Sequence, residues 1–173
     1  MAVSTQPKSF TDVTVVLKDG GTPTTLTLFG DMDNFQVSGF RQKLNAVTPH
    51  QSRGVHLGTT HGQRVYLSGS FSFICTELSD AAVGAIPDFI LKNNAYSGNV
   101  STQGSGGVNH PYLIDIEVTI DGTEYDETDD HDFTLHDVEI TSLDYADGDP
   151  IVFSVSFTSY GVPTGDLACT ALT

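Results

Sequence analysis

Apolar and polar residues alternate along most of this chain, the repeat of a strand buried on one face. Residues 13–17 (Val-Thr-Val-Val-Leu) and 24–29 (Thr-Thr-Leu-Thr-Leu-Phe) flank Lys18, Asp19, Gly20 and Gly21, which predicts a hairpin. Phe35 and Val37 alternate with Gln36 and Ser38. Between Arg64 and Thr76, Val65, Leu67, Phe71, Phe73 and Cys75 fall on one face, while Tyr66, Ser68, Ser70, Ser72 and Ile74 fall on the other. From Tyr112 to Asp121, Ile114, Ile116, Val118 and Ile120 oppose Asp115, Glu117, Thr119 and Asp121. Phe133 and Leu135 start another strand that resumes with Val138 and Ile140, so the phase slips at His136-Asp137, as one inserted bulge residue would cause. Ile151, Phe153, Val155 and Phe157 form the last alternating run, with Asp147-Gly148 as the preceding turn.

Residues 78–92 follow a different rule. Ser79 is a cap signal and apolar residues at 82, 83, 86, 89 and 90 have helical spacing, with a break or kink at Pro87. Two stretches lack periodicity: residues 41–63, where Val47 or Val55–Leu57 could form short strands, and the turn-rich residues 97–111. The pattern predicts a mainly β fold of two packed antiparallel sheets, as a sandwich or partly closed barrel. One short flanking α-helix and a long inter-strand loop complete a single domain over residues 1–173, ending in a C-terminal tail at 163–173.

Charge sharpens this picture through its distribution. The formal net charge is −15, yet all seven Lys and Arg residues lie in residues 1–92 beside seven acids, and residues 93–173 carry fifteen acids and no Lys or Arg. Phosphate neutralisation by cation clusters is excluded for the C-terminal half, and the balance speaks against specific nucleic-acid binding by the whole. Arg41, Lys43, Arg53 and Arg64 fall in or beside the long loop, so a basic projection and an acidic body share one chain. That combination suits head-to-tail association of copies. Strong acidity also fits a surface adapted to high salt. The N-terminal residues lack the apolar core of a secretory signal, and no apolar run approaches the ~20 residues that span a bilayer. An intracellular, non-inserted protein is expected.

Candidate chemistry is sparse. Asp126, Glu127, Thr128, Asp129, Asp130, His131 and Asp132, followed by His136 and Asp137, are the densest polar cluster. Asp126, Asp129, Asp130 and Asp132 could offer hard oxygen ligands to calcium, but the spacing lacks the central Gly and distal Glu of an EF-hand loop. A solvated acidic turn is the expectation, with no metal and no cofactor. No Ser lies in a nucleophile elbow, Cys75 reads as a core thiol, and Asp115 with Glu117 lacks any aromatic sugar platform. An enzyme is not expected.

The order of these segments resembles the major tail tube proteins of long-tailed bacteriophages. Residues 30–39 (Gly-Asp-Met-Asp-Asn-Phe-Gln-Val-Ser-Gly) look like the strand before the family's long stacking loop. Residues 64–73 and 77–80 look like the strand leading to its single helix, and residues 87–90 and 95–100 like that helix's end and exit. Residues 132–140 and 151–157 look like the closing strands. The resemblance spans about residues 10–162, and related tubes occur in contractile phages and type VI secretion.

It implies a structural protein of the virion tail, assembled in the host cytoplasm as stacked hexameric rings. Its hollow tube would conduct DNA without binding it, with the chain itself, tape measure, tail terminator and distal tail proteins as partners. Arg41, Lys43, Arg53 and Arg64 would then make inter-subunit or inter-ring contacts. Asp115, Glu117, Thr119, Glu139, Thr141, Ser68 and Ser70 are candidates to line the lumen, where carboxylates and small hydroxyls would leave DNA hydrated and unbound. The competing reading is a soluble calcium- or carbohydrate-binding β-sandwich with its site at residues 126–137.

Overall fold

A computed structural model of the chain describes residues 13–21, 25–28, 32–39, 45–74, 85–103, 111–120 and 130–166. Ten strands, one α-helix and one 3-10 turn of helix at Asn94–Tyr96 occur among them: β1 Val13–Lys18, β2 Thr25–Leu28, β3 Met32–Ser38, β4 Asn45–Ser52, β5 Val55–Arg64, β6 Leu67–Ile74, α1 Ile86–Leu91, β7 Leu113–Ile120, β8 His131–Ala146, β9 Val152–Ser159 and β10 Thr164–Gly165. The fold is mainly β. A large antiparallel sheet runs in the order β2-β1-β7-β8-β9-β6-β3, with β10 paired to β8, while β4 and β5 form a small second sheet.

The large sheet curls because β8 is long and twice bulged. Its first half pairs β7 and its second half pairs β9. Against β7, Ile114 faces Val138 but Ile116 faces Leu135, so Asp115 stands opposite both His136 and Asp137. Asp137 has φ +52. The phase slip at His136-Asp137 is thus a real bulge. Against β9, Ile140 faces Phe157 and Ser142 faces Ser156, leaving Thr141 as a second extra residue. Bulges bend a strand and raise its local twist, so two of them turn one strand from the β2-β1-β7 half of the sheet into the β9-β6-β3 half.

The concave side closes on itself as the core. Val15, Leu17, Ile114, Ile116, Val118, Leu135 and Val138 meet Phe71, Phe73, Val155 and Phe157, all at most 2% exposed. Phe71 lies at the centre of an aromatic row, with ring centroids 6.3 Å from Phe35, 6.3 Å from Phe73 and 6.2 Å from Phe157. Gly69 makes this row possible: a Cβ there would lie 2.4 Å from the Phe157 ring and from the Gln36 carbonyl oxygen.

Helix α1 adds Phe89 and Ile90 to the core. The expected helix over 78–92 begins at Ile86 among the described residues; its proposed start, including Ser79, lies outside them. Pro87 stands in the first turn instead of kinking the middle, where its missing N–H has no partner to lose. Beyond the helix, Asn94 Nδ2 donates to both carboxylate oxygens of the buried Asp88 at 3.0 Å.

The β1–β2 turn is pinned to the next segment. Val100 N–H donates to Asp19 Oδ2 at 3.0 Å, and Gly20 N–H to the Val100 carbonyl at 2.7 Å. Nearby, Asn99 Nδ2 donates to Tyr112 Oη at 3.0 Å. Burial is the main cause that pushes the Tyr112 phenol up to about 12, aided by the charge of Asp19 and opposed by the Asn99 bond. A phenol that ionises near 10.0 when unfolded but near 12 when folded contributes stability fully present below pH 10. That contribution disappears as pH rises toward 12. Thermal melts from pH 9 to 12 should show this alkaline loss, and Tyr112→Phe should make it shallower; an unchanged slope would refute the assignment.

Residues 41–63 differ from the expected loop. From Asn45 to Arg64 they form the β4–β5 hairpin, with Ser52 paired to Val55 across a two-residue turn. Arg53 (φ +50) and Gly54 (φ +78) take the positive φ values that a type I′ turn requires. Two physical facts hid it. Pro49 sits inside β4 and speaks against a strand, and every described side chain from Thr48 to Leu57 is exposed, so no apolar alternation marks the segment.

Candidate assembly surfaces

The outward faces of the two halves of the large sheet have unlike chemistry. On the β8-β9-β6-β3 half, strand register lines up three polar rows. Glu139, Thr158, Ser68 and Ser38 form the first; Ser142, Ser156, Ser70 and Gln36 the second; Asp144, Ser154, Ser72 and Asp33 the third. Each row alternates with an inward row such as Leu143, half-buried, with Val155 and Phe71, fully buried, which fixes the direction in which the hydroxyls point. Ser38 and Ser68 approach to 3.2 Å between their Oγ atoms. An open concavity of about 360 Å³ lies over Gln36, Ser38, Ser68, Gly69, Ser70 and Ser156. These rows contain three acids and no Lys or Arg.

The β2-β1-β7-β8 half is charged, and the two acids of β7 have side-chain partners. Lys18 pairs with Glu117. Asp115 Oδ2 lies 2.9 Å from His136 Nδ1, while its Oδ1 accepts the Asp137 N–H at 3.0 Å. Both oxygens of Asp115 therefore hold the bulge. Around the same turn, His136 Nε2 is 2.9 Å from Thr164 Oγ1, Ser159 Oγ donates to the His136 carbonyl at 2.9 Å, and Thr102 Oγ1 donates to Asp137 Oδ1 at 2.7 Å. His131 Nδ1 pairs with Asp166 Oδ2 at 2.8 Å, so two histidines of β8 clasp the segment after β9.

The predicted residues thus separate into groups. Ser68, Ser70 and Glu139 share the hydroxyl face. Asp115, Glu117 and Thr119 lie on the other half, where the first two have partners. Thr141 is the exposed extra residue of the second bulge, and Ser142 and Asp144 take the places that regular alternation would have given to it and Leu143. The signal for these two was the three-residue step from Ile140 to Leu143, the same spacing as Leu135 to Val138. Of the acidic cluster, Asp126 and Asp129 lie outside the described residues, whereas Asp130 and Asp132 are exposed.

Arg53 and Arg64 mark the two ends of the hairpin arm; Arg41 and Lys43 lie outside the described residues. At the root, the Arg64 guanidinium sits 5.7 Å from the Tyr66 ring centre, and Tyr66 meets Tyr160 edge-on at 5.0 Å. Tyr160 Oη donates to Glu139 Oε2 at 2.5 Å, and this bond to a carboxylate is the main cause that raises the Tyr160 phenol above its ordinary range. Arm and hydroxyl face are thereby joined through one side-chain chain.

This architecture occurs in solved assemblies. The sheath/tube terminator of an extracellular contractile injection system matches with a TM-score of 0.54 at 12% identity, over 94% of this chain and 99% of its own. The tube-terminating cap of the anti-feeding prophage matches with a TM-score of 0.53 at 13% identity, over 96% and 94%. The chain has the tail-tube fold. The sheath–tube complex of the same type of injection system extends the likeness, with a TM-score of 0.51 at 12% identity over 93% of each chain. No protein-family model matches the sequence, and no curated protein matches it. Within this fold, the curled sheet, helix α1 and the β4–β5 arm follow the order of strands, helix and long inter-strand segment that the sequence predicted.

Proposed function

We propose that this protein is a structural tube subunit, not an enzyme, whose copies form hexameric rings that stack into a hollow conduit. The observation that carries this reading is the hydroxyl face: three polar rows over four adjacent strands, with three acidic positions and no Lys or Arg. A conduit for a polyanion must not hold it. Each phosphate–cation contact would add salt-dependent affinity, whereas serine hydroxyls leave a hydrated, weakly repelling wall. The β8-β9-β6-β3 face faces the lumen in this reading, and the ion-paired β2-β1-β7-β8 face is turned away from it. DNA passing from a virion into a host is the cargo, and tape measure, terminator and distal tail proteins are the partners at the ends.

Negative-stain microscopy of the purified protein tests the assembly. Rings or tubes of constant bore are expected, and a monomer at all concentrations and salts would refute it. Rings that never stack would favour a tube-end role instead, as two of the similar structures are a terminator and a cap. Ser70→Lys with Ser156→Lys tests the lumen. These adjacent positions (Ser70 pairs Ser156) sit on the exposed side of the sheet, so tubes should still assemble. They should retain DNA in a mobility-shift assay, with retention that falls steeply as salt rises. DNA passage unaltered from wild type would remove this face from the lumen.

A further inference from the structure

We infer that the 131–137 edge of β8 is an acceptor site for an extended peptide strand, which each chain keeps closed with its own residues 160–166. The site arises from the way β8 is shared. From Val138 onward it pairs with β9, while its first half pairs with β7 on the opposite side. Beyond the end of β9, residues 131–137 therefore offer a backbone edge about 20 Å long. Phe133 and Leu135 in this stretch are buried in the core, so the edge belongs to the fixed part of the sheet. A fixed edge without a full partner strand is a template for another strand.

The chain's own cover is slight. Past Ser159 the backbone continues along this edge as a strap. Tyr160 N–H donates to the Asp137 carbonyl at 3.0 Å, Gly161 N–H to the His136 carbonyl at 2.9 Å, and Asp166 N–H to the Asp132 carbonyl at 2.7 Å. Within the strap only Thr164 and Gly165 form a strand, opposite Thr134 and Phe133. Pro163 has no N–H to contribute, and Thr164, Gly165 and Asp166 are exposed. Val162 packs on Leu67, outside the main core, and no described residue from 160 to 166 belongs to that core. The strap can therefore lift without opening the sheet behind it.

Its contacts also define what the edge accepts. His136 Nε2 lies 2.9 Å from Thr164 Oγ1, and His131 Nδ1 lies 2.8 Å from Asp166 Oδ2. A hydroxyl and, two residues on, a carboxylate are thus selected. Two positions demand glycine. A Cβ at Gly161 would lie 2.3 Å from the His136 Cβ, and one at Gly165, where φ is +90, would lie 2.3 Å from the Asp132 carbonyl oxygen. The ligand is an extended segment of the form Gly-x-x-Thr-Gly-Asp, which binds by adding a strand to the sheet edge.

Displacing the strap tests the site, on unassembled copies and so apart from the tube reading. Gly161→Val with Asp166→Ala removes the close fit at one end and the carboxylate at the other, and leaves β9 and both histidines in place. A fluorescent peptide of residues 160–167 keeps the native Gly161, Thr164 and Asp166. By anisotropy it should bind this variant at least tenfold more tightly than wild type, whose edge is occupied. The same peptide carrying Thr164→Val and Asp166→Ala should lose that advantage. Hydrogen exchange at the 131–137 amides should rise in the variant and fall again when the native peptide is added. Asp166→Ala alone is the milder variant, should the double substitution disturb folding. It should speed exchange at 131–137 while β1 and β6 keep the wild-type rate. Unchanged exchange in Asp166→Ala, or an opened edge that binds neither peptide or both equally, would overturn the proposal.

Discussion

Phe71→Ala should cost about 3–5 kcal/mol of folding stability, the range for truncating a fully buried phenylalanine. Phe71 is 2% exposed and its ring lies near those of Phe35, Phe73 and Phe157, which come from β3, β6 and β9. Removing it deletes the shared neighbour of three rings and leaves a cavity that the surrounding strands cannot close, since their spacing is set by the hydrogen-bond ladder. Urea unfolding followed by circular dichroism measures the loss. A cost below about 1 kcal/mol would mean that the curled sheet does not close over this row. The same variant should assemble poorly, because the hydroxyl face is the reverse side of the strands that Phe71 holds.

The second largest effect is expected at Asp115. Its carboxylate accepts the Asp137 N–H with one oxygen and contacts the His136 ring with the other. Asp115→Ala leaves a half-buried backbone donor without its acceptor, which costs about 1–3 kcal/mol, and the surface contact to His136 adds about 0–1 kcal/mol. Glu117 is two residues away on the same strand face, but it pairs with the side chain of the half-buried Lys18 at the surface. Glu117→Ala should therefore stay within about 1 kcal/mol of wild type. Equal losses for both variants in chemical denaturation would show that Asp115 does not hold the bulge. The contrast matters for function too: reversing Asp115 to Lys would disturb the corner of the sheet before it tested any lumen, which is why Ser70 and Ser156 are the informative positions.

Much of the fold was legible because a half-buried strand writes its burial into sequence as alternation. Ile114, Ile116 and Val118 against Asp115, Glu117 and Thr119 gave β7 its face, and the structure buries that set. The His136-Asp137 bulge was legible for the same reason, since an extra residue shifts the phase of everything after it. Its twin at Thr141 carried the same mark in the step from Ile140 to Leu143, but Ser142 and Thr141 are both polar and blurred it. The arm was not legible. A strand without a buried side has no reason to alternate, and Pro49 removes one ladder donor where strand formers would be expected.

The candidate surfaces divide in the same way. Composition marked Ser68, Ser70, Glu139, Asp115 and Glu117 as polar strand positions and marked Arg53 and Arg64 as part of a basic projection. It held no information on which polar faces were neighbours. Ser70 and Ser156 are 86 positions apart in the chain, and only the β6–β9 register makes them adjacent. Lys18 and Glu117 are likewise 99 positions apart, and their pairing turns two free charges into a neutral spot.

By itself the sequence determined the mainly β class, the inward face of the half-buried strands up to the second bulge of β8, the first bulge of β8 and the partition of charge. These are local consequences of side-chain periodicity and composition. The tertiary structure decided that the segment after β3 is an arm, that the acids of β7 are already partnered, and that the hydroxyls of β6 and β9 merge into one wall without Lys or Arg. Each depends on which strands lie side by side, and that is set by long-range register and by bulges that bend β8, not by any run of neighbouring residues.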